Sequence, residues 1–208
     1  MSGPLPSPAL TAAERSPIAT AALAVTLVAG VVALQGAILT AMGQPPICTC
    51  GVVRLWQGDV LSAENSQQIV DWYTPSHVIH GLLFYAAATL VLPRSGVLVR
   101  LAIALGIEVG WETLENSPPV IARYREQALA NGYSGDSVIN SLSDTLACTT
   151  GFWLARFLPS RATVALGIGL ELFTGAMIRD NLTLNTLQLI YPSDSIARWQ
   201  LEGQRAAR

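Results

Sequence analysis

Two histidines and a series of carboxylates carry most of the chemistry this sequence can do. His77 and His80 are three residues apart. Glu108, Glu112 and Glu115 follow one another at steps of four and three, and Asp136, Asn140 and Asp144 at steps of four. On an α-helix each of these sets falls on one face. Imidazole nitrogens and carboxylate oxygens are the donors that zinc, manganese and iron accept. A divalent ion would relieve repulsion among gathered carboxylates, and it could activate a water molecule near neutral pH. His77, His80, Glu112 and Asp144 are therefore read as metal ligands, and Glu108 as the catalytic base.

Arg123 and Arg125 flank Tyr124, and Arg179 precedes Asp180 and Asn181. A guanidinium fork matches phosphate geometry, so these three arginines are read as binding a substrate anion. Asp71, Glu115, Asp136, Asn140, Asp180 and Asn181 form the supporting polar cluster. The same residues admit two other readings. Buried His–Glu and Arg–Asp pairs can simply hold helices together, and a chain of titratable groups can conduct protons or ions. The chain holds no nucleophile elbow, phosphate-binding glycine loop or dinucleotide fingerprint.

These side chains need helices to carry them, and the sequence supplies apolar runs separated by turns. Residues 1–17 are rich in proline and serine and read as a disordered tail. Residues 18–42 are uncharged and long enough to cross a hydrocarbon core of about 30 Å. Further runs lie at 75–92, 97–115, 136–158 and 162–180. Pro75 suits a helix start, Pro118 and Pro119 a stop, and Asp136 an N-cap. Glu108 and Asp144 fall about 10 Å inside their helix ends. Glu171 stands alone in mid-helix. Residues 192–208 form a tail in which Ile196, Trp199 and Leu201 could line an interfacial helix.

The expected fold is all-α, a polytopic membrane bundle of about five transmembrane helices over residues 18–191. Charged residues make up only 12% of the chain, against about 25% in soluble domains. The net charge of −2 leaves no basic field for nucleic acid. Arg94, Arg100, Arg156 and Arg161 mark two short turns without acids, which places those turns and the N-terminus in the cytoplasm and the C-terminus in the periplasm. On that topology all the polar helix ends share the periplasmic face, where Trp72, Tyr73 and Trp111 read as headgroup-level aromatics. Cys48 and Cys50 could hold a soft metal or oxidise; a bridge across one residue is disfavoured, so they and Cys148 read as isolated thiols.

Longer motifs carry a resemblance. Asp71-Trp72-Tyr73-Thr74-Pro75-Ser76-His77-Val78-Ile79-His80-Gly81 resembles the signature of an uncharacterised, UPF-type family of alphaproteobacterial multi-pass inner-membrane proteins. So do Trp111-Glu112, Glu115-Asn116-Ser117-Pro118, Arg123-Tyr124-Arg125, Gly135-Asp136-Ser137-Val138, Asn140-Ser141 and Arg179-Asp180-Asn181. The resemblance spans roughly residues 44–200 and implies location and topology, not an activity. Asp71, His77, Glu108 or Glu112, Asn140 and Gly151 are also similar in order to VanZ-like membrane proteins, which act at the cell envelope.

The expectation is therefore an inner-membrane protein whose periplasmic cluster binds a divalent metal or an anionic envelope lipid, as a metal-dependent lipid-processing enzyme would. The alternative is a non-catalytic membrane subunit or assembly factor with a membrane-protein partner and a structural cluster. An ion-coupled transporter ranks third, because no internal repeat is visible.

Overall fold

The computed structural model describes residues 16–130 and 132–206; the expected disordered tail falls almost entirely outside them. Eight helices are present among the described residues: α1 (Pro17–Ala41), α2 (Thr74–Val91), α3 (Val97–Glu115), α4 (Pro118–Arg125), α5 (Val138–Phe157), α6 (Ser160–Ile178), α7 (Leu182–Ile190) and α8 (Asp194–Ala206). Two short parallel strands, β1 (Trp56–Gln57) and β2 (Val70–Asp71), tie off the loop between α1 and α2.

Local chemistry sets these boundaries. The Ser16 hydroxyl accepts the Ala19 N–H ahead of Pro17, which opens α1 with its ring at a position that needs no donor. Pro118 also opens a helix, so α3 is followed at once by α4 and not by an irregular stretch. α5 is capped by Ser137, whose hydroxyl accepts the Asn140 N–H, and not by Asp136 as expected. That one-residue difference leaves the Asp136 carboxylate free for the site. Glu171 bonds the N–H groups of Leu182 and Thr183 and the Thr183 hydroxyl. A mid-helix carboxylate thereby satisfies the positive end of α7.

α2 and α5 form the closest helix pair. Gly81 faces the Cys148 carbonyl and Phe152 N–H, and Gly151 faces the Val78 carbonyl, at approaches that leave no room for a Cβ. Small residues at such crossings let two backbones touch. Beside them α1, α3 and α5 bury an apolar cluster of Ala24, Leu101, Ala104, Leu105 and Phe152. The polar half of the bundle lies at the other end.

The interior and exterior invert the usual partition. Gln35, His77, Glu108, Glu112, Asn140 and Asp144 are buried, while Leu90, Val91, Phe157, Val164, Leu172 and Met177 are exposed. Among the described residues two helices, α1 and α6, are long and apolar enough to cross a membrane. That is fewer than the five expected, because α2, α3 and α5 carry the polar and ionisable side chains of the site, which lower their mean hydropathy.

The cysteines also depart from expectation. Cys48 and Cys50 are joined in a disulfide, with their Cα atoms 5.2 Å apart across the turn at Thr49, a separation inside the normal range. Cys148 is a buried free thiol, as expected.

Candidate functional site

α2 enters the polar end with His77 and His80 on the face that meets α3. His77 Nδ1 lies 2.7 Å from Glu108 Oε1, and His80 Nδ1 lies 3.0 Å from Glu108 Oε2. One carboxylate therefore holds both imidazoles at hydrogen-bond distance. His77 Nδ1 also lies 3.3 Å from Glu112 Oε1, and its Nε2 lies 3.9 Å from Asp144 Oδ2. The three carboxylates are almost wholly enclosed. The i,i+3 and i,i+4 spacings have done what helical geometry requires, aiming each set at a shared interior point.

Around this centre runs a shell of neutral donors. The Thr74 hydroxyl donates to Asp144 at 3.0 Å, and the Ser141 hydroxyl donates to Glu112 Oε2. Gln35 of α1 donates to Ser141 Oγ at 2.8 Å and accepts from Thr145 at 2.7 Å. Asn116 donates to Asp136 Oδ2 at 2.7 Å, and the Tyr133 hydroxyl donates to Oδ1 at 2.8 Å. Asp71 receives the N–H groups of Ser66 and Tyr73 and faces Asn140 Nδ2 at 3.5 Å. Among the buried oxygens, Glu112 Oε1 accepts no hydrogen bond.

A cavity of about 360 Å³ opens onto the cluster, a size in the range of small-ligand pockets. Asp71, His77, His80, Glu115, Asp136, Asn140 and Asp144 form its polar wall. Phe84, Ile107, Trp111, Leu129 and Leu182 form an apolar one. No arginine lines it among the described residues. Trp111, expected at headgroup level, faces this cavity, with its ring 6.4 Å from that of His80.

Outside the helices, burial acts on the acids first. It pushes Asp136 up to about 6 against hydrogen bonds from Tyr133 and Asn116. Burial likewise lifts Asp71, and it drives the Tyr73 phenol well above its usual range with Asp180 adding to the effect.

The remaining expected site residues lie elsewhere. Arg123 donates to the Leu189 carbonyl and to Glu126, Arg125 to the Tyr133 carbonyl, and Arg179 to the Trp199 carbonyl while covering the Trp199 ring. These guanidinium groups brace loops and helix ends. Asn181 caps α7 by accepting the Leu184 N–H. Asp180 accepts the Tyr73 hydroxyl at 3.1 Å and joins the cluster through that tyrosine.

Asp180 supports a pH prediction. Burial raises its carboxyl from 3.8 to about 6. The folded state thus holds this proton more tightly than the unfolded chain does. The resulting stabilisation is complete below about 4 and is lost as pH rises through about 6, by up to about 3 kcal/mol. Asp180→Asn removes the titration. Thermal unfolding in detergent should therefore show the variant gaining on the wild type between about pH 4 and pH 7, with the difference constant above that. A pH-independent difference would rule this account out.

Comparison with known proteins adds the lineage. A family model described as "Protein of unknown function (DUF2585)" matches residues 39–202. The chain is 55% identical over 175 residues to a UPF0314 protein of Sphingopyxis alaskensis, covering 84% of this chain and 93% of that one. It is 51% identical over 170 residues to a UPF0314 protein of Rhizobium johnstonii, covering 82% and 87%. A UPF0314 protein of Paracoccus denitrificans is 52% identical over 170 residues, covering 82% and 88%. No solved structure matches. Every cluster residue except Gln35 lies within the matched region, and the chain belongs to the UPF0314 family of proteins of unknown function (DUF2585).

Proposed function

We propose that this protein is a multi-pass inner-membrane protein that binds a divalent metal ion at its polar end, and that the cavity above the ion receives the headgroup of an envelope lipid. The observation that carries the metal reading is an imbalance of charge in an enclosed space. Glu108, Glu112 and Asp144 surround His77 and His80, so even two imidazolium ions would not neutralise the three as carboxylates, and Glu112 Oε1, 3.3 Å from His77 Nδ1, accepts no hydrogen bond. Buried charges left unpaired in this way are costly, and a cation removes the cost.

Donor chemistry narrows the ion to zinc, manganese or iron. His77, Glu112 and Asp144 each present a ligand atom within 4.8 Å of the others. The 3.9 Å gap from His77 Nε2 to Asp144 Oδ2 exceeds a hydrogen bond and suits two donors on one ion. His80, which shares a second such set with His77 and Glu108, is the fourth ligand on this reading. Glu108, at hydrogen-bond distance from both Nδ1 atoms, orients the imidazoles as second carboxylates do in metal sites; in this reading it takes that role in place of the base. Such an ion polarises a phosphoryl or carbonyl oxygen and lowers the pKa of bound water.

The membrane reading rests on exposed apolar side chains along all five long helices, where Leu34, Leu83, Val99, Phe157 and Leu172 face outward. Placing the loop of residues 43–73 in the periplasm agrees with its disulfide. After mild reduction, a membrane-impermeant thiol reagent should label Cys50 from outside intact spheroplasts; labelling only after lysis would reverse the orientation.

The metal reading is tested by mass spectrometry of detergent-purified protein beside His77→Ala/His80→Ala. One or more equivalents in the wild type, lost from a folded double variant, are expected. A metal-free wild type would leave the cluster structural, which is the form a non-catalytic subunit would take.

A further inference from the structure

Glu115 and Asp136 stand apart from the histidines yet share the cavity wall with them. Together with Glu112 they present three carboxylate oxygens within 4.8 Å of one another. Resting on the metal reading above, we propose that these three carboxylates hold a second divalent cation, and that Glu112 bridges the two ions.

Three features support the assignment. The first is Glu112 itself, 1% exposed, with Oε1 accepting no hydrogen bond although it is enclosed. A buried carboxylate oxygen that accepts no hydrogen bond, with His77 Nδ1 its neighbour at 3.3 Å, in a residue common to two donor sets, suits a bridging ligand. The second is how the carboxylates are held. Ser141 donates to Glu112, and Asn116 and Tyr133 donate to Asp136. Glu112 and Asp136 are thus steadied by neutral donors, with His77 Nδ1 3.3 Å from Glu112 Oε1 on the side of the histidine seat, so carboxylate charge remains for a second ion. The third is access, since Glu115 and Asp136 line the same cavity as His77 and Asp144. Both seats thus face one ligand.

The two seats differ in chemistry. The histidine seat mixes nitrogen and oxygen donors and suits zinc, iron or manganese. The Glu112–Glu115–Asp136 seat offers oxygen alone, which suits magnesium, calcium or manganese. A carboxylate-bridged pair of divalent ions is an arrangement used to clamp the oxygens of a phosphoester. It also explains how a cavity with no arginine among its described lining residues could take an anion. The phosphate would meet the ions, while Arg123, Arg125 and Arg179 remain structural.

The test is Mn²⁺ binding to the full chain in detergent after chelator treatment, read by metal counting and by electron paramagnetic resonance. The wild type should take up two equivalents and show the broadened spectrum of a coupled pair. Glu115→Gln/Asp136→Asn should keep one equivalent and give an uncoupled six-line spectrum. If that double variant does not fold, Glu115→Gln alone is read the same way. One uncoupled equivalent in the wild type, unchanged in the variant, would overturn the second seat and leave the histidine seat standing. No Mn²⁺ in the wild type would overturn both.

Discussion

Gly81→Ala should prevent the protein from accumulating in folded form. A Cβ at residue 81 would meet the Cys148 carbonyl and the Phe152 N–H, which are backbone atoms of α5 and cannot rotate aside. The two helices would have to separate, which costs upwards of about 3 kcal/mol, at or beyond the upper end of overpacking penalties. The separation would also move His77 and His80, on the turn before Gly81, away from Asp144 on α5, so any folded remainder should bind metal weakly. Gly151→Ala meets the Val78 carbonyl and should behave alike. Gly106→Ala on α3 is the control: nothing lies within 4 Å of its Cβ, and alanine favours a helix by up to about 1 kcal/mol. Size-exclusion chromatography and thermal unfolding in detergent would separate these outcomes. A Gly81→Ala protein as stable as Gly106→Ala would mean that the α2–α5 crossing is looser than described.

The second large effect is expected at Glu108. Glu108→Ala removes the partner of both imidazole Nδ1 atoms and should weaken metal binding by roughly 100-fold, at the upper end for loss of an orienting carboxylate. Glu108→Gln retains one carbonyl acceptor, enough for one imidazole, and should lose roughly 10-fold. Competition against a chromogenic chelator measures both. If Glu108 acted only as a base, Glu108→Gln would bind metal as the wild type does.

The sequence made the site legible where chemistry and helical period coincide. His77 with His80, Glu108 with Glu112, and Asn140 with Asp144 converge in the structure because spacings of three and four residues leave a helix little choice of face. Turn chemistry marked the long helices to within a few residues. What stayed hidden depends on contacts distant in sequence. Gln35 lies in an uncharged run that reads as uniformly apolar, and only the Ser141 and Thr145 hydroxyls on α5 reveal it as buried. Asn116 reads as a helix stop, but its side chain joins α3 to Asp136. The arginines pointed to anion binding by type, whereas their directions are fixed by nearby carbonyls in loops and helix ends. Ser137 outcompeted Asp136 as a cap because Asp136 is drawn to Asn116 and Tyr133. The cysteine pair closed because the turn at Thr49 set its spacing, which composition does not report.

X-ray absorption at the metal edge of the purified protein tests the central claim most directly, because it reads the ligand atoms themselves. The account predicts a shell of nitrogen and oxygen with imidazole scattering that disappears in His77→Ala/His80→Ala. A sulfur shell would move the ion to cysteine, and an oxygen-only shell unchanged in the double variant would separate the histidines from metal binding; either result would contradict the account.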